Sequence, residues 1–312
     1  MSTVIISGAT SGVGLHTAVS LAAAGYDIIA TYRDDAGKRR LQTALSGIPS
    51  ACVHFAHCDF SRLRSVAEAA EQIRNLPIGD VRALVLNAGT YSSGRFSRSA
   101  DRVEETLAVN VLGQFMLFRE LEWMLPRDAR VITLASQAHR IRSGWLGASG
   151  PSILPPSQLF ASDPCDSRLL FRWMHSPSMR YATSKLYCVQ LAYEINRRTT
   201  FSGYAVDPGI VASTKICRNY PRVLRGAYWA ASPVMEKLGT ALSPQQAGDD
   251  LAWVAVSDEA EGLAGEYIYR RKARVSSPES YNLELSGEVW KTCMRLTENR
   301  VSAPTRGRQR NS

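Results

Sequence analysis

Ser7-Gly8-Ala9-Thr10-Ser11-Gly12-Val13-Gly14 stands directly between an apolar, β-branched run at residues 3–7 and a helical pattern at residues 14–24. Glycines in a strand-to-helix turn permit a tight reversal. They also let backbone N–H groups and the positive end of the helix come close to an anion. In that setting, with the backbone of Thr10, Ser11, Gly12 and Val13 leading into the helix, the stretch predicts a turn that receives the pyrophosphate of a dinucleotide.

Working outward from the turn, short β-branched runs alternate with helical patterns. Strands are expected at residues 27–32, 51–57, 81–86, 130–135, 203–207 and 265–269, and helices at 63–73, 102–125, 181–197 and 244–256. With the first run this makes about seven strands in βαβ rhythm, the pattern of an α/β, doubly wound (Rossmann) parallel sheet with right-handed crossovers. One domain over residues 1–296 is expected, followed by a disordered tail at 297–312. Two segments break the rhythm, 137–180 and 216–238, and insertions that long in a compact domain are usually functional. Both are read as cover for a substrate site.

The bulk properties fit this picture. The chain has 312 residues, 45% hydrophobic and 21% charged, enough to bury a core without disulfides or metal. Its six cysteines, Cys52, Cys58, Cys165, Cys188, Cys217 and Cys293, form no CxxC pair and suit a reducing compartment. No apolar run approaches the roughly 18 residues of a membrane span, and the first strand starts at Thr3, so a cytoplasmic chain with no transmembrane segment is expected. The net charge of +9 gathers in only three groups, Lys38 to Arg40, Arg270 to Arg274 and Arg306 to Arg310. These read as solvated faces and a tail, and no nucleic-acid partner is expected.

Glycines at 8, 12 and 14 spell GxxxGxG rather than GxGxxG. With this spacing the chain resembles the short-chain dehydrogenase/reductase family, whose TGxxxGxG has Thr where Ser7 keeps a hydroxyl. At the end of the second strand the chain reads Thr31-Tyr32-Arg33. A carboxylate there would repel a 2′-phosphate, whereas a guanidinium grips it with charge-assisted hydrogen bonds, so Arg33, with Lys38 adding charge, predicts NADP(H). Further matches are carried by the resemblance alone. They are Asp59 and Phe60 at the adenine, Asn87-Ala88-Gly89 beside the cofactor, and Pro208, Gly209, Val211 and Ser213 of a PGxVxT-like element at the nicotinamide end.

Tyr181-Ala182-Thr183-Ser184-Lys185 places Tyr181 and Lys185 one helical turn apart on one face. A phenol with a pKa of about 10 exchanges protons poorly near neutrality. A lysine ammonium beside it favours the phenolate. Tyr181 is therefore read as the acid or base, Lys185 as its partner, and Ser136 at the end of the fifth strand as the group that orients the substrate oxygen. The resemblance adds Asn110 as the fourth member of a Ser, Tyr, Lys, Asn tetrad that supports Lys185. Both Tyr181 and Lys185 also count among the residues that hold the cofactor.

The stretch between Ser136 and Tyr181 is much longer than in typical members. With Ala138-His139 after the Ser, it resembles the retinol-dehydrogenase-like and WW-domain-oxidoreductase-like branch. The resemblance also implies a homodimer paired through the helices of Asn110 and Tyr181. The expected reaction interconverts a carbonyl and an alcohol on a bulky hydrophobic substrate. The alternative is a catalytically silent NADP(H)-binding sensor or interaction protein.

Three other groups carry side chains capable of chemistry. Cys52, His54, His57 and Cys58 crowd the third strand, but alternation along a central strand leaves no room for a tetrahedral site, so core packing and no metal are expected. His139 is read as a loop residue before a proton carrier. Trp145, Trp173, Tyr220 and Trp229 are either a substrate lid or anchors of their loops.

Overall fold

Strands made almost wholly of apolar residues need cover on both faces. In β1 (Thr3–Ile6) Val4 and Ile6 enter one core cluster and Ile5 the opposite one. The computed structural model describes residues 2–49, 51–92, 94, 96–141, 150–152, 154–160, 168–211 and 240–298. After β1 come α1 (Gly12–Ala23), β2 (Asp27–Tyr32), α2 (Asp35–Leu45), β3 (Val53–His57), α3 (Leu63–Arg74) and β4 (Val81–Leu86). The helix α4 (residues 105–121) contains a π-helical segment, Ala108–Leu112. It is followed by β5 (Arg130–Leu134), a 3-10 turn (Gln137–Arg140), α5 (Pro156–Leu159), α6 (Arg168–His175) and α7 (Pro177–Arg198). The chain then forms β6 (Ser202–Asp207), α8 (Pro244–Val256), β7 (Tyr267–Tyr269), β8 (Lys272–Arg274) and α9 (Leu283–Thr297).

The eight strands form one sheet in the order β3-β2-β1-β4-β5-β6-β7-β8, parallel throughout except for β8. Helices α1, α2 and α8 supply one core cluster, with Leu21, Leu41 and Leu251. Helices α3, α4, α7 and α9 supply the other, with Val66, Phe115, Tyr187 and Val289. Strand order reverses between β1 and β4, which opens a crevice beyond their carboxyl ends.

Several expectations are corrected by tertiary context. An eighth strand turns back from β7 through Arg270 and Arg271, both at positive φ (50° and 58°), which no sequence pattern announces. Helix α2 was not expected; Asp34 caps it, accepting from the Gly37 amide at 2.7 Å. The 102–125 helix starts at Glu105 and is interrupted by the π segment. Helix α7 begins a turn earlier than Tyr181, at Pro177 after the Ser176 cap. β3 is an edge strand, not a central one, with Cys52 and His57 exposed and Cys58 buried. The first insertion carries the 3-10 turn, α5, α6 and the start of α7, whereas residues 216–238 lie outside the described residues. So does the tail beyond Glu298.

The implied homodimer meets a physical obstacle. Every residue of α7 from Met179 to Ile195 except Tyr181 is buried, as is nearly all of the second half of α4. Helix α9 supplies much of that cover, with Trp290 edge-on to Phe115 at 5.1 Å and Ser286 donating to Glu194 at 2.5 Å. Pairing through α4 and α7 therefore has no exposed face to use among the described residues.

One close approach sets how α7 rests on the sheet. A Cβ at Gly203 of β6 would lie 2.2 Å from the Ala192 carbonyl oxygen and 3.0 Å from the Asn196 amide, both backbone atoms of α7. Gly203→Ala should cost roughly 1–3 kcal/mol through overpacking. The check is a lower urea midpoint with an unchanged slope.

Candidate active site

The glycine turn is welded to the neighbouring strand by side chains. Asn87 at the end of β4 donates through Nδ2 to the carbonyls of Ser7 (2.8 Å) and Gly8 (3.1 Å). The Ser7 hydroxyl donates to Gln114 Oε1 (2.6 Å) and accepts from the Ala88 amide (2.9 Å). Gly8, at φ +68°, donates to Thr31 Oγ1 at 3.0 Å, and a Cβ there would stand 2.8 Å from the Ala88 Cα. At Gly14 a Cβ would meet Asn87 Nδ2 at 2.4 Å.

The outward side of the turn is different. Gly12, at φ +57°, has open space where a Cβ would be. Ser11 heads α1 in extended conformation with no side-chain cap, and the first turn holds no acidic residue. Its backbone N–H groups and helix dipole are thus left for an external anion, and the donor set fits a pyrophosphate. Arg33 is exposed at the end of β2. The Lys38 ammonium lies 5.1 Å from the Tyr32 ring centre and 5.2 Å from that of Phe55. Arg40, read with a solvated group in the sequence, donates to the Thr10 carbonyl at 2.9 Å.

Asp59 accepts from the Ser61 amide (3.0 Å) and hydroxyl (2.7 Å), and Arg62 stands 3.5 Å away. Phe60 is a core residue, its carbonyl 2.6 Å from where a Cβ would sit on Gly113. Gly89 faces Asn110 Oδ1. Gly209, at φ +74°, donates to Asp207 Oδ1 at 2.8 Å, following Pro208, and Val211 is buried beside Leu242. Ser213 lies outside the described residues.

The tetrad candidates converge at the carboxyl ends of β4 and β5. Lys185 is buried, and its Nζ donates to the Leu134 carbonyl at 2.7 Å while lying 5.7 Å from the Tyr181 ring centre. Burial holds its ammonium below the usual lysine range, opposed by nearby Cys188 and Asp207. Tyr181 is half-buried, its ring edge-on to Tyr91 at 5.2 Å. Ser136 lies two residues past β5 in extended conformation and caps the 3-10 turn, with Oγ accepting from the Ala138 amide at 3.3 Å. Asn110 sits inside the π segment, which turns its side chain onto Thr90: Oδ1 accepts from the Thr90 amide (2.7 Å) and Nδ2 donates to the Thr90 carbonyl (3.0 Å). That Nδ2 also donates to Ser184 Oγ at 3.0 Å, and Cys188 donates to the Asn110 carbonyl at 3.4 Å. The Asn110 side chain therefore meets α7 through Ser184 rather than through Lys185.

A model of the short chain dehydrogenase family matches residues 2–148. The WW domain-containing oxidoreductase of Homo sapiens is 30% identical over 313 residues, covering 96% of this chain and 69% of that protein. The chain belongs to the short-chain dehydrogenase family. A second relative, the polyprenol dehydrogenase of Homo sapiens, is 27% identical over 307 residues, covering 94% of this chain and 84% of that one. In the fold, the angucycline C-6 ketoreductase LanV, solved with bound NADP, superposes with a TM-score of 0.63 over 86% of this chain and 93% of its own, at 18% identity.

Some residues around this short-chain dehydrogenase site escaped sequence reasoning. Arg180, next to Tyr181, is buried and ion-paired to buried Glu104 at 3.1 Å. It also donates to the carbonyls of Ser92 and Gly94, both at 3.2 Å, and to that of Met174. Nothing in the local pattern marks it, because Glu104, Ser92 and Gly94 lie more than seventy residues away in the chain. Trp173 is buried against Phe96 (6.1 Å), an anchor of its loop; Trp145, Tyr220 and Trp229 lie outside the described residues. Among the described residues no group of three or more His, Cys, Asp or Glu is placed to hold a metal, and no helix is long and apolar enough to cross a membrane.

Burial pushes the Glu104 carboxyl above its usual range, against hydrogen bonds from Leu107 and Thr106 and the Arg180 charge. A carboxyl raised in the folded state favours folding below its unfolded pKa and withdraws that favour as pH rises through the folded one. Arg180→Leu removes the compensating charge and should cost about 3–5 kcal/mol at pH 7. The gap to the parent should narrow toward pH 5 as Glu104 takes up a proton, which urea titrations at the two pH values check.

Proposed function

We propose that this chain is an NADP(H)-dependent oxidoreductase that interconverts a carbonyl and a secondary or primary alcohol on a bulky hydrophobic substrate, a ketoreductase of secondary metabolism. The observation that carries the reading is the placement of Lys185. Its bond to the Leu134 carbonyl ties the helix of Tyr181 to the strand end two residues before Ser136. A phenol, an ammonium and a hydroxyl are thereby gathered at the carboxyl edge of the sheet, beside the glycine turn.

In this reading Ser136 donates to the substrate oxygen and fixes its place. Tyr181 gives its proton to the oxygen as negative charge develops there, or removes it in the reverse direction. Lys185 favours the phenolate by charge and holds the ribose, and Asn110 steadies the helix through Ser184. Thr10, Ser11, Gly12 and Val13 offer backbone N–H groups to the pyrophosphate. Arg33, with Lys38, takes the 2′-phosphate. Asp59 and the backbone at Phe60 border the adenine, and Asn87 to Gly89 with Pro208, Gly209 and Val211 border the nicotinamide end. When bound, the nicotinamide supplies or accepts the hydride at C4. A polyprenol, named in one of the relatives above, is a long hydrocarbon chain with one hydroxyl, which supports an apolar substrate.

NADPH consumption across aromatic ketones, steroids, retinoids, quinones and polyprenals tests the reading. NADPH binding with no turnover of any member would instead favour the silent sensor. With an active substrate, Tyr181→Phe should lower kcat by roughly 10²–10⁴-fold, far more than it changes the NADPH Kd. Arg33→Ala should raise the Kd of NADPH by about 10–100-fold and barely alter that of NADH, as fluorescence titration reads it. Equal loss for both would remove the NADP(H) assignment.

A further inference from the structure

His139 stands three residues after Ser136 with no exposed surface, and both ring nitrogens are engaged. Nδ1 lies 2.6 Å from the Ser136 carbonyl oxygen, and Nε2 lies 3.1 Å from the Ser277 amide nitrogen. A carbonyl only accepts and a backbone amide only donates, so these partners admit one form of the ring: neutral, with the proton on Nδ1. The Tyr267 ring packs on it at 5.0 Å, and Arg140 lies on Tyr267 with its Cζ 5.0 Å from that ring's centre. The imidazole pKa is lowered to about 4, chiefly by burial, against the Ser136 bond and with Arg140 and Glu279 acting in opposite senses, so the neutral form persists at physiological pH.

The segment that offers the Ser277 amide is itself fastened to the catalytic helix α7. Tyr193 and Ser276 hydroxyls meet at 2.8 Å, Gln190 donates to the Glu279 carbonyl at 3.0 Å, and the Ser280 hydroxyl closes onto the Ser277 carbonyl at 2.6 Å. A continuous path thus runs from α7 through residues 276–280 to His139 and on to the Ser136 backbone. Ser136 and Tyr181 must reach the same substrate oxygen, so their separation matters to a fraction of an ångström.

We propose that His139 is the positioning residue of Ser136: by gripping the Ser136 carbonyl and the Ser277 amide together, it sets the serine hydroxyl relative to Tyr181. The proposal rests on the reading that Ser136 orients the substrate oxygen. His139 itself touches neither substrate nor cofactor.

The test uses the full chain and the panel member it turns over best. His139→Leu should lower kcat by roughly 10–100-fold, the scale of a small misplacement, with the NADPH Kd unchanged. His139→Asn keeps a donor within reach of the Ser136 carbonyl and should recover most of kcat. In a Ser136→Ala background, His139→Leu should cost nothing further, because the group it positions is gone. Should the leucine variant fold poorly, Ser277→Pro serves: Ser277 has φ −68°, already suited to proline, and the change deletes the N–H that Nε2 accepts. It should shift kcat in the same direction. Imidazole ¹⁵N NMR of the parent needs no substrate and should show the neutral Nδ1–H form at pH 7. A charged or Nε2–H ring, parent-like kcat in His139→Leu, or a full additive loss in the double variant overturns the proposal. Full turnover in Ser136→Ala alone would instead bring down the reading beneath it.

Discussion

The carboxamide of Asn87 is the joint on which the rest of the site depends. It bridges the end of β4 to two successive carbonyls of the glycine turn, at the point where strand order reverses. Its Nδ2 occupies the space that a side chain at Gly14 would need, so one interaction explains why that glycine is required. With Ser7 tied to both Ala88 and Gln114, and the Gly8 amide to Thr31, the inner side of the turn is held by side chains. The outer side keeps the uncapped N–H groups of α1. The turn is rigid inward and receptive outward, a division made by side chains from three separate elements.

Around Tyr181 the chain buries charge, which is costly unless each group is answered. Arg180 is answered by Glu104, two loop carbonyls and the Met174 carbonyl of α6, Lys185 by the Leu134 carbonyl, and Asp207 by the Tyr267 hydroxyl and the Gly209 amide. Burial pushes Asp207 up and Lys185 down, and the two charges partly offset each other. These partners come from β5, β7, α6 and the loops after β4 and β6. Tyr181 therefore stands between two pinned cations on one helix, Arg180 and Lys185, in a frame with little freedom to relax. Such preorganisation suits a group that moves a proton in register with another bond change.

Local regularity decided which elements could be read in advance. β2 and β4 lie at 27–32 and 81–86 as expected and α8 at 244–256, because apolar runs and a Ser-Pro start are signals contained within a few residues. Helix α2 escaped because Gly37 and a charged run weaken its pattern, while the Asp34 cap and the contact of Gly37 with Thr10 make it. β8 escaped because its pairing partner, not its composition, makes it a strand. The edge position of β3 and the burial of α7 and α4 under α9 are likewise relations between distant segments.

The sequence alone determined the βαβ order, the glycine turn and the types and spacing of Ser136, Tyr181 and Lys185, because each is a short-range fact of covalent order and helical or strand period. Only the tertiary structure decided that Asn110 meets α7 through Ser184, that Arg180 is a buried hub, and that His139 joins Ser136 to Ser277. Those contacts span tens to more than a hundred residues of chain. They exist because packing brings the partners together where water is excluded, and a buried polar group must then find its complement.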